Sequence, residues 1–298
     1  MANLTLKHLR YFEALARHGH FGRAAEASAI SQPALSVQIK ELETTLGATL
    51  FERSPRNVRL TAFGETFATR ARDILRAVDE LGDLARVSQG QLSGRLRLGV
   101  IPTVAPYLLP PVIAGLAATY PALDLDIRET ITPKLLEELS DGRLDAAIVA
   151  LPVSEPSLTE TALFTEDFVL VRPAADADRP MPAPDQLHTM RLLLLEEGHC
   201  FRDQALSVCA LPAGRPRTGL DGSSLSTLVQ MVGAGIGVTL IPEMAVATET
   251  RAAPVSIGRF PRNTPKRTIG MVWRGTTPLA PQLTAMSAVV RQALKPAP

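Results

Sequence analysis

The tripeptide Ser31-Gln32-Pro33 constrains this chain more than any other stretch, because it reads as a helix start and as little else. A serine just ahead of a first turn offers its hydroxyl to the free N–H groups there, and a proline inside that turn has no N–H to leave unpaired. Leu35, Ile39, Leu42 and Leu46 then fall at i, i+4, i+7 and i+11, one face of a helix. Upstream, Leu6, Leu9, Phe12, Leu15 and Ala16 keep helical spacing and predict a helix from about Leu6 to His18, stopped at Gly19. Between the two, Phe21 to Ala29 (FGRAAEASA) is rich in alanine, and its small side chains let a neighbouring helix approach closely.

Two short helices joined by a tight turn make a helix-turn-helix, which sets its second helix in the major groove of DNA. With Pro33 fixing its start, that helix would turn Gln32, Ser36 and Gln38 towards base edges, since these side chains both donate and accept, and Lys40 towards phosphate. After Gly47, Leu50 to Leu60 (LFERSPRNVRL) reads as a β-hairpin about Ser54-Pro55, a wing whose Arg53, Arg56 and Arg59 would meet the DNA backbone. The first 60 residues hold eight Lys and Arg against five Asp and Glu, a surplus of +3 on a chain of net charge +1. A plain helical bundle with a solvated polar face is the bland alternative. Cap, proline, alanine-rich partner and basic wing together favour the DNA reader.

Phe67, Ala71, Ile74, Val78, Leu81 and Ala85 are spaced alternately by four and three, with charged residues between them. So narrow a seam usually packs on a second copy, which predicts a dimer with two reading heads on double-stranded operator DNA. Val87 to Gly94 (VSQGQLSG) then reads as a linker. Hydrophobic residues are 46% of the chain and charged ones 20%, which excludes a disordered tail protein. No apolar run approaches the roughly 18 residues of a membrane span, and Leu192 to Leu195 reads as a buried strand. The N-terminus lacks the apolar core of a signal peptide, so the expectation is no membrane and a cytoplasmic location, where a permanent structural disulfide is unusual.

Beyond Gly94, apolar strands alternate with helical stretches: Leu96 to Ile101, then Tyr107 to Thr119; Leu123 to Arg128, then Pro133 to Ser140; Leu144 to Ala150. This predicts an α/β fold with a parallel sheet covered on both faces. A second series from near Phe168 includes Arg191 to Leu195, Ser224 to Val232 and Val238 to Ile241, while Thr268 to Trp273 and Pro281 to Leu294 return to the first lobe. Two lobes so connected leave a cleft, the usual place for a ligand. Thr103 and Thr132 stand just ahead of helices and could turn hydroxyls into it; Ser223 and Ser224 are better explained as helix caps.

The gapless stretch NLTLKHLRYFEALARHGHFGRAAEASAISQPALSVQIKELETTLGATLFERSPRNVRLTAFGETF resembles the DNA-binding domain of the LysR-type transcriptional regulators, most specifically in SQPALS and LGATLFER. The resemblance implies a winged helix-turn-helix over 1–61, a linker and dimerisation helix over 62–90, and a two-lobed regulatory domain like a periplasmic binding protein over 91–298. Lobe I is then about 95–165 and 267–298, and lobe II about 166–266. It also implies a homodimer or homotetramer and contact with RNA polymerase.

Both cysteines of the chain lie in EGHCFRDQALSVC, nine positions apart. Phe201, Ala205 and Val208 suggest a helix there, along which nine residues rise about 13.5 Å. A disulfide needs Cα atoms about 4.4 to 6.8 Å apart, so a Cys200–Cys209 bridge and that helix exclude each other. At a first turn, Cys200 has a setting that favours a thiolate, with His199 and Arg202 adding charge or donors and Glu196 and Glu197 opposing. Two ordinary buried cysteines are an equal alternative, and a zinc site on His199, Cys200 and Cys209 a weaker one.

LLLLEEGHCFRDQALSVC and GVIPTVAPYLLP are similar to the redox segment and first lobe of the family's peroxide-responsive members. That resemblance implies that Cys200 attacks hydrogen peroxide and Cys209 is its disulfide partner. It places His199, Arg202 and Asp203 around them, with Thr103 and Thr132 orienting peroxide, and Arg267 carried over in KRTIG. The loop Leu211 to Gly222 departs from the pattern. The implied function is a peroxide-sensing regulator of antioxidant genes that is not an enzyme, uses no cofactor or metal, and is reset by a thiol reductant. A regulator answering to a small organic acid in the cleft, or a thiol peroxidase fused to a DNA-binding head, are the competing readings.

Overall fold

The computed structural model describes residues 4–54, 57–88, 90, 92–208, 221–261 and 264–294. It divides into two units, one ending at Ala85 and one beginning at Arg86.

In the first unit, α1 (Leu6–His18), α2 (Phe21–Ala27) and α3 (Gln32–Leu46) form where the sequence signals them. Thr5 and Ser31 cap α1 and α3, each hydroxyl accepting from the N–H three residues on. Gly19 ends α1 in the left-handed conformation at φ 57°. Helix α2 stops two residues earlier than the alanine run suggested. The Ile30 N–H reaches back to the Ala25 carbonyl and the Ala29 N–H to that of Glu26, a Schellman turn that closes the helix.

Phe12 is fully buried, with ring centroids of Phe51 at 5.2 Å and Phe67 at 4.9 Å. Around it pack Leu15, Leu35, Ile39 and Leu42, and the buried Ala24 and Ala25 let α2 come close. The wing is an antiparallel hairpin of β1 (Phe51–Ser54) and β2 (Asn57–Leu60). Glu43 ties it to α3 by accepting the N–H groups of Leu50 and Phe51 at 2.8 and 3.2 Å.

Helix α4 (Ala62–Ser88) carries the heptad seam, but the seam is not one continuous face for a second copy. Phe67 and Ala71 belong to the core just described, with Phe67 edge-on to Phe12. Ile74 and Leu81 further along are exposed by 44% and 64%.

In the second unit β3 (Gly94–Val100), α5 (Ala105–Thr119), β4 (Leu123–Glu129), α6 (Thr132–Ser140) and β5 (Ala146–Leu151) lead to a long strand, β6 (Leu158–Pro173). Then come β7 (Leu194–Leu195), α7 (Cys200–Val208), β8 (Asp221–Gly222), α8 (Leu225–Gly233), β9 (Thr239–Pro242), α9 (Val246–Glu249) and β10 (Val255–Gly258). β11 (Lys266–Arg274) and α10 (Ala280–Ala293) complete the described chain.

The sheet is mixed, which corrects the all-parallel expectation. β3 runs parallel to β4 and β5, as the α5 and α6 crossovers require, whereas β11 is antiparallel to both β5 and β6. β11 returns from the far end of the chain to the first lobe, as expected, but its antiparallel place between β5 and β6 has no local signal. β6 serves both lobes: residues 158–167 pair with β11, and 168–173 pair with β9 and β10. Its polar first half, with Thr159, Glu160 and Thr161, hid the strand upstream of Phe168.

Each lobe has its own core. Leu98, Val112, Ile148, Met271 and Trp273 lie in the first, and Phe168, Val171, Phe201, Val229 and Ile241 in the second. Among the described residues, no helix is long and apolar enough to cross a membrane.

Candidate functional site

The reading helix α3 buries Leu35, Ile39 and Leu42 and leaves Pro33, Val37, Lys40 and Thr44 exposed on the opposite side. Of the side chains expected at base edges, Gln32 is exposed while Ser36 and Gln38 are half-buried, and the Gln38 amide donates to Glu41 at 3.0 Å. Arg59 is exposed on β2. Arg56 lies outside the described residues, as does the side chain of Arg53.

The segment that carries Cys200 begins where Gly198 turns the chain at φ 93°, with Ile131 so close that a Cβ would come within 2.7 Å of its Cδ1. Cys200 follows as the first residue of α7, a free, half-buried thiol. The free N–H groups of a helix's first turn favour negative charge. Consecutive residues here face different lobes: Cys200 packs against the core of the first lobe, and Phe201 is buried in the core of the second. Cys209 lies outside the described residues.

Two cavities flank this segment. One of about 540 Å³ is lined by Thr132, Pro133, Leu136, Glu137 and Ser140 of α6 and by Glu155, Gly198, Cys200 and Asp203. The hydroxyl oxygen of Thr132 is buried without a hydrogen-bond partner. The other, of about 370 Å³, includes Thr103, Tyr107, Glu129, Glu196, His199, Ser224 and Glu249 in its wall. The two threonines that the sequence treated alike are therefore in different settings: Thr132 shares a cavity with Cys200, and Thr103 lines the one that holds His199. Ser224 is the N-cap of α8, accepting from the Thr227 N–H.

Of the two residues expected to add charge or donors, His199 is held towards its neutral form and Arg202 is a paired cation. Burial holds the His199 imidazole below its ordinary pKa, only partly opposed by Glu196, so it is neutral at pH 7. The Arg202 guanidinium is committed to the Leu195 carbonyl at 2.7 Å and to Asp221 at 3.0 Å, fastening α7 to β7 and β8. Asp203 is exposed at the rim of the larger cavity.

Arg267 sits on β11, its side chain fully buried. It donates to Glu166 at 2.8 Å, to the Thr103 hydroxyl at 2.8 Å and to the Thr103 carbonyl at 3.0 Å. Its guanidinium also stands 5.4 Å from the ring centroid of Phe201. Sequence reasoning carried over Arg267 and Thr103 but missed Glu166, the counter-charge that makes the burial tolerable. It also missed the link between lobes in which Tyr107 of α5 donates to Glu249 of α9 at 2.7 Å, 142 positions away. Burial, and then that bond, push the Tyr107 phenol well above its usual pKa, so it remains a donor. Among the described residues, no group of three or more His, Cys, Asp or Glu is arranged to hold a metal ion.

Comparison with known proteins gives the family. Residues 6–65 match the model of the bacterial regulatory helix-turn-helix protein, lysR family, and residues 89–295 match the LysR substrate binding domain. This chain belongs to the LysR family. Its helix-turn-helix is accordingly a DNA-binding head, and its second unit the regulatory domain of that family.

Among LysR-family relatives, a probable hydrogen peroxide-inducible genes activator of Streptomyces viridosporus is 44% identical over 99% of this chain and 96% of its own. A full-length OxyR cysteine variant from Pseudomonas aeruginosa has a TM-score of 0.78 at 38% identity, covering 98% of this chain and 96% of its own. A hydrogen peroxide-bound OxyR cysteine mutant from Corynebacterium glutamicum has a TM-score of 0.67 at 36% identity, covering 97% and 92%.

Proposed function

We propose that this chain is a hydrogen peroxide-sensing transcriptional regulator, switched by oxidation of Cys200 and its disulfide with Cys209. The observation that carries the reading is the free thiol of Cys200 at the first turn of α7, beside a cavity that also holds Thr132. A relative named for hydrogen peroxide, and a solved OxyR mutant with hydrogen peroxide bound, support the choice of oxidant.

In the first step the Cys200 thiolate attacks one peroxide oxygen. A sulfur–oxygen bond forms as the oxygen–oxygen bond breaks, hydroxide leaves and is protonated to water, and the sulfur is oxidised to a sulfenic acid. Cys209 then displaces the hydroxyl as water, forming the disulfide. An external thiol reductant takes the bond back to two thiols by exchange.

Geometry makes the second step a switch. Eight helical rises separate Cys200 from Val208, about 12 Å, and the next Cα is only about 3.8 Å further. Whatever path the chain takes after Val208, the two cysteine Cα atoms stay at least about 8 Å apart while α7 persists, beyond disulfide reach. Joining them unwinds α7, withdraws Phe201 from its core and disturbs both lobes. Passed to a homodimer or homotetramer, the change alters the spacing of reading heads on operator DNA and contact with RNA polymerase in the cytoplasm.

The organic-acid alternative is disfavoured by the smaller cavity, whose wall, among the described residues, carries Glu129, Glu196 and Glu249 and no lysine or arginine. The peroxidase alternative predicts many turnovers with an added reductant, against one equivalent of peroxide per Cys200 for a sensor. The deciding experiment is a footprint of the full chain on operator DNA with and without peroxide. Wild type should change its footprint length and Cys200→Ser should not; the same response in the variant overturns the thiol switch.

A further inference from the structure

The outer face of α3 carries an apolar side chain that no hydrophobic core explains. Val37 is 63% exposed, and it lies on the stripe of Pro33, Lys40 and Thr44 that faces away from Leu35, Ile39 and Leu42. Valine is a poorer helix former than alanine or lysine, so local stability does not account for it. Its branched Cβ leaves one strongly preferred rotamer in a helix, and the two methyls are held ready at little entropic cost.

A valine has neither donor nor acceptor. In the major groove guanine, cytosine and adenine present polar groups, with no methyl among them, and covering those groups strips water without replacing a hydrogen bond. The one methyl there is that at C5 of thymine. With Lys40 one turn on and exposed for phosphate, the helix carries an apolar contact and a backbone anchor on one face.

We propose that Val37 is a specificity-determining residue that packs on a thymine methyl, fixing an A·T pair at one position of each half-site. The contact selects by attraction to the methyl and by leaving polar base edges unpaired.

The test uses the full chain and the tightest-binding duplex recovered from a randomised pool. Each thymine, with its symmetry mate, is replaced in turn by deoxyuridine, which keeps every hydrogen bond and removes only the methyl. At one position wild-type binding should weaken about fourfold per half-site, as one buried methyl predicts. For Val37→Ala the same replacement should change binding less than twofold. Alanine favours the helix, so the variant keeps its fold, and its salt dependence should match wild type because the phosphate contacts are intact. A deoxyuridine profile identical in the two proteins, or one with no sensitive thymine, overturns the assignment.

Discussion

Arg267 lies over the ring of Phe201 where the two lobes meet: the guanidinium carbon is 5.4 Å from the ring centroid, and the ring packs edge-on against Phe168 at 4.9 Å. Phe201 anchors α7 in the core of the second lobe, and it adjoins Cys200, the thiol that moves in the proposed switch. Phe201→Leu keeps an apolar side chain in the core and loses a cation–π contact worth about 1 kcal/mol. Rapid-mixing measurements should find peroxide consumption by Cys200 unchanged and the later disulfide step about fivefold faster, the rate equivalent of that energy. Equal acceleration of both steps would show that the ring acts on the thiol and not on the helix.

The charge of Arg267 is a separate matter. Its side chain and that of Glu166 are almost wholly buried, and removing one partner strands the other. Arg267→Met should cost about 3–5 kcal/mol in denaturant unfolding followed by the buried Trp273. Adding Glu166→Gln should recover a large part of the loss, since it removes the stranded carboxylate; a double variant as unstable as the single one would contradict the account.

Much of the reading head was legible because its signals are local. Ser31, Pro33 and Gly19 act on the backbone within a turn of themselves, and the apolar spacing of α1 and α3 needs no knowledge of partners. What escaped notice depended on distance. Glu166 meets Arg267 101 positions away, and Tyr107 meets Glu249 across two lobes. The place of β11 between β5 and β6 was equally hidden. Val37 gives no signal for another reason: its side chain has no hydrogen-bonding group, although its position two residues after Leu35 puts it off the buried face.

The lowered pKa of His199 has a definite sign for stability. The folded protein resists protonating this imidazole and the unfolded chain does not, so below the ordinary value of 6.5 the unfolded state holds more protons. Its contribution is complete above that value and is lost as pH falls through it towards the lowered one. His199→Asn should flatten the fall in denaturation midpoint between about pH 7.5 and 5.5. A slope unchanged by the substitution would mean that burial of the ring does not control its proton.

The two threonines provide the sharpest contrast, because the same substitution should act oppositely on them. Thr132 keeps a buried hydroxyl with no partner, so Thr132→Val, nearly equal in shape, removes an unsatisfied group and should leave stability unchanged or slightly raised. Its effect should fall on reactivity: a hydroxyl beside Cys200 that can bind peroxide is gone, and sulfenic acid formation should slow about tenfold, the worth of one well-placed hydrogen bond. Thr103 already accepts from Arg267 at 2.8 Å. Thr103→Val leaves a donor of that buried guanidinium unpaired and should cost about 1–3 kcal/mol. Thermal unfolding and stopped-flow oxidation of both variants separate the two roles. A large stability loss in Thr132→Val, or none in Thr103→Val, would reverse the assignment of which threonine is structural and which faces the oxidant.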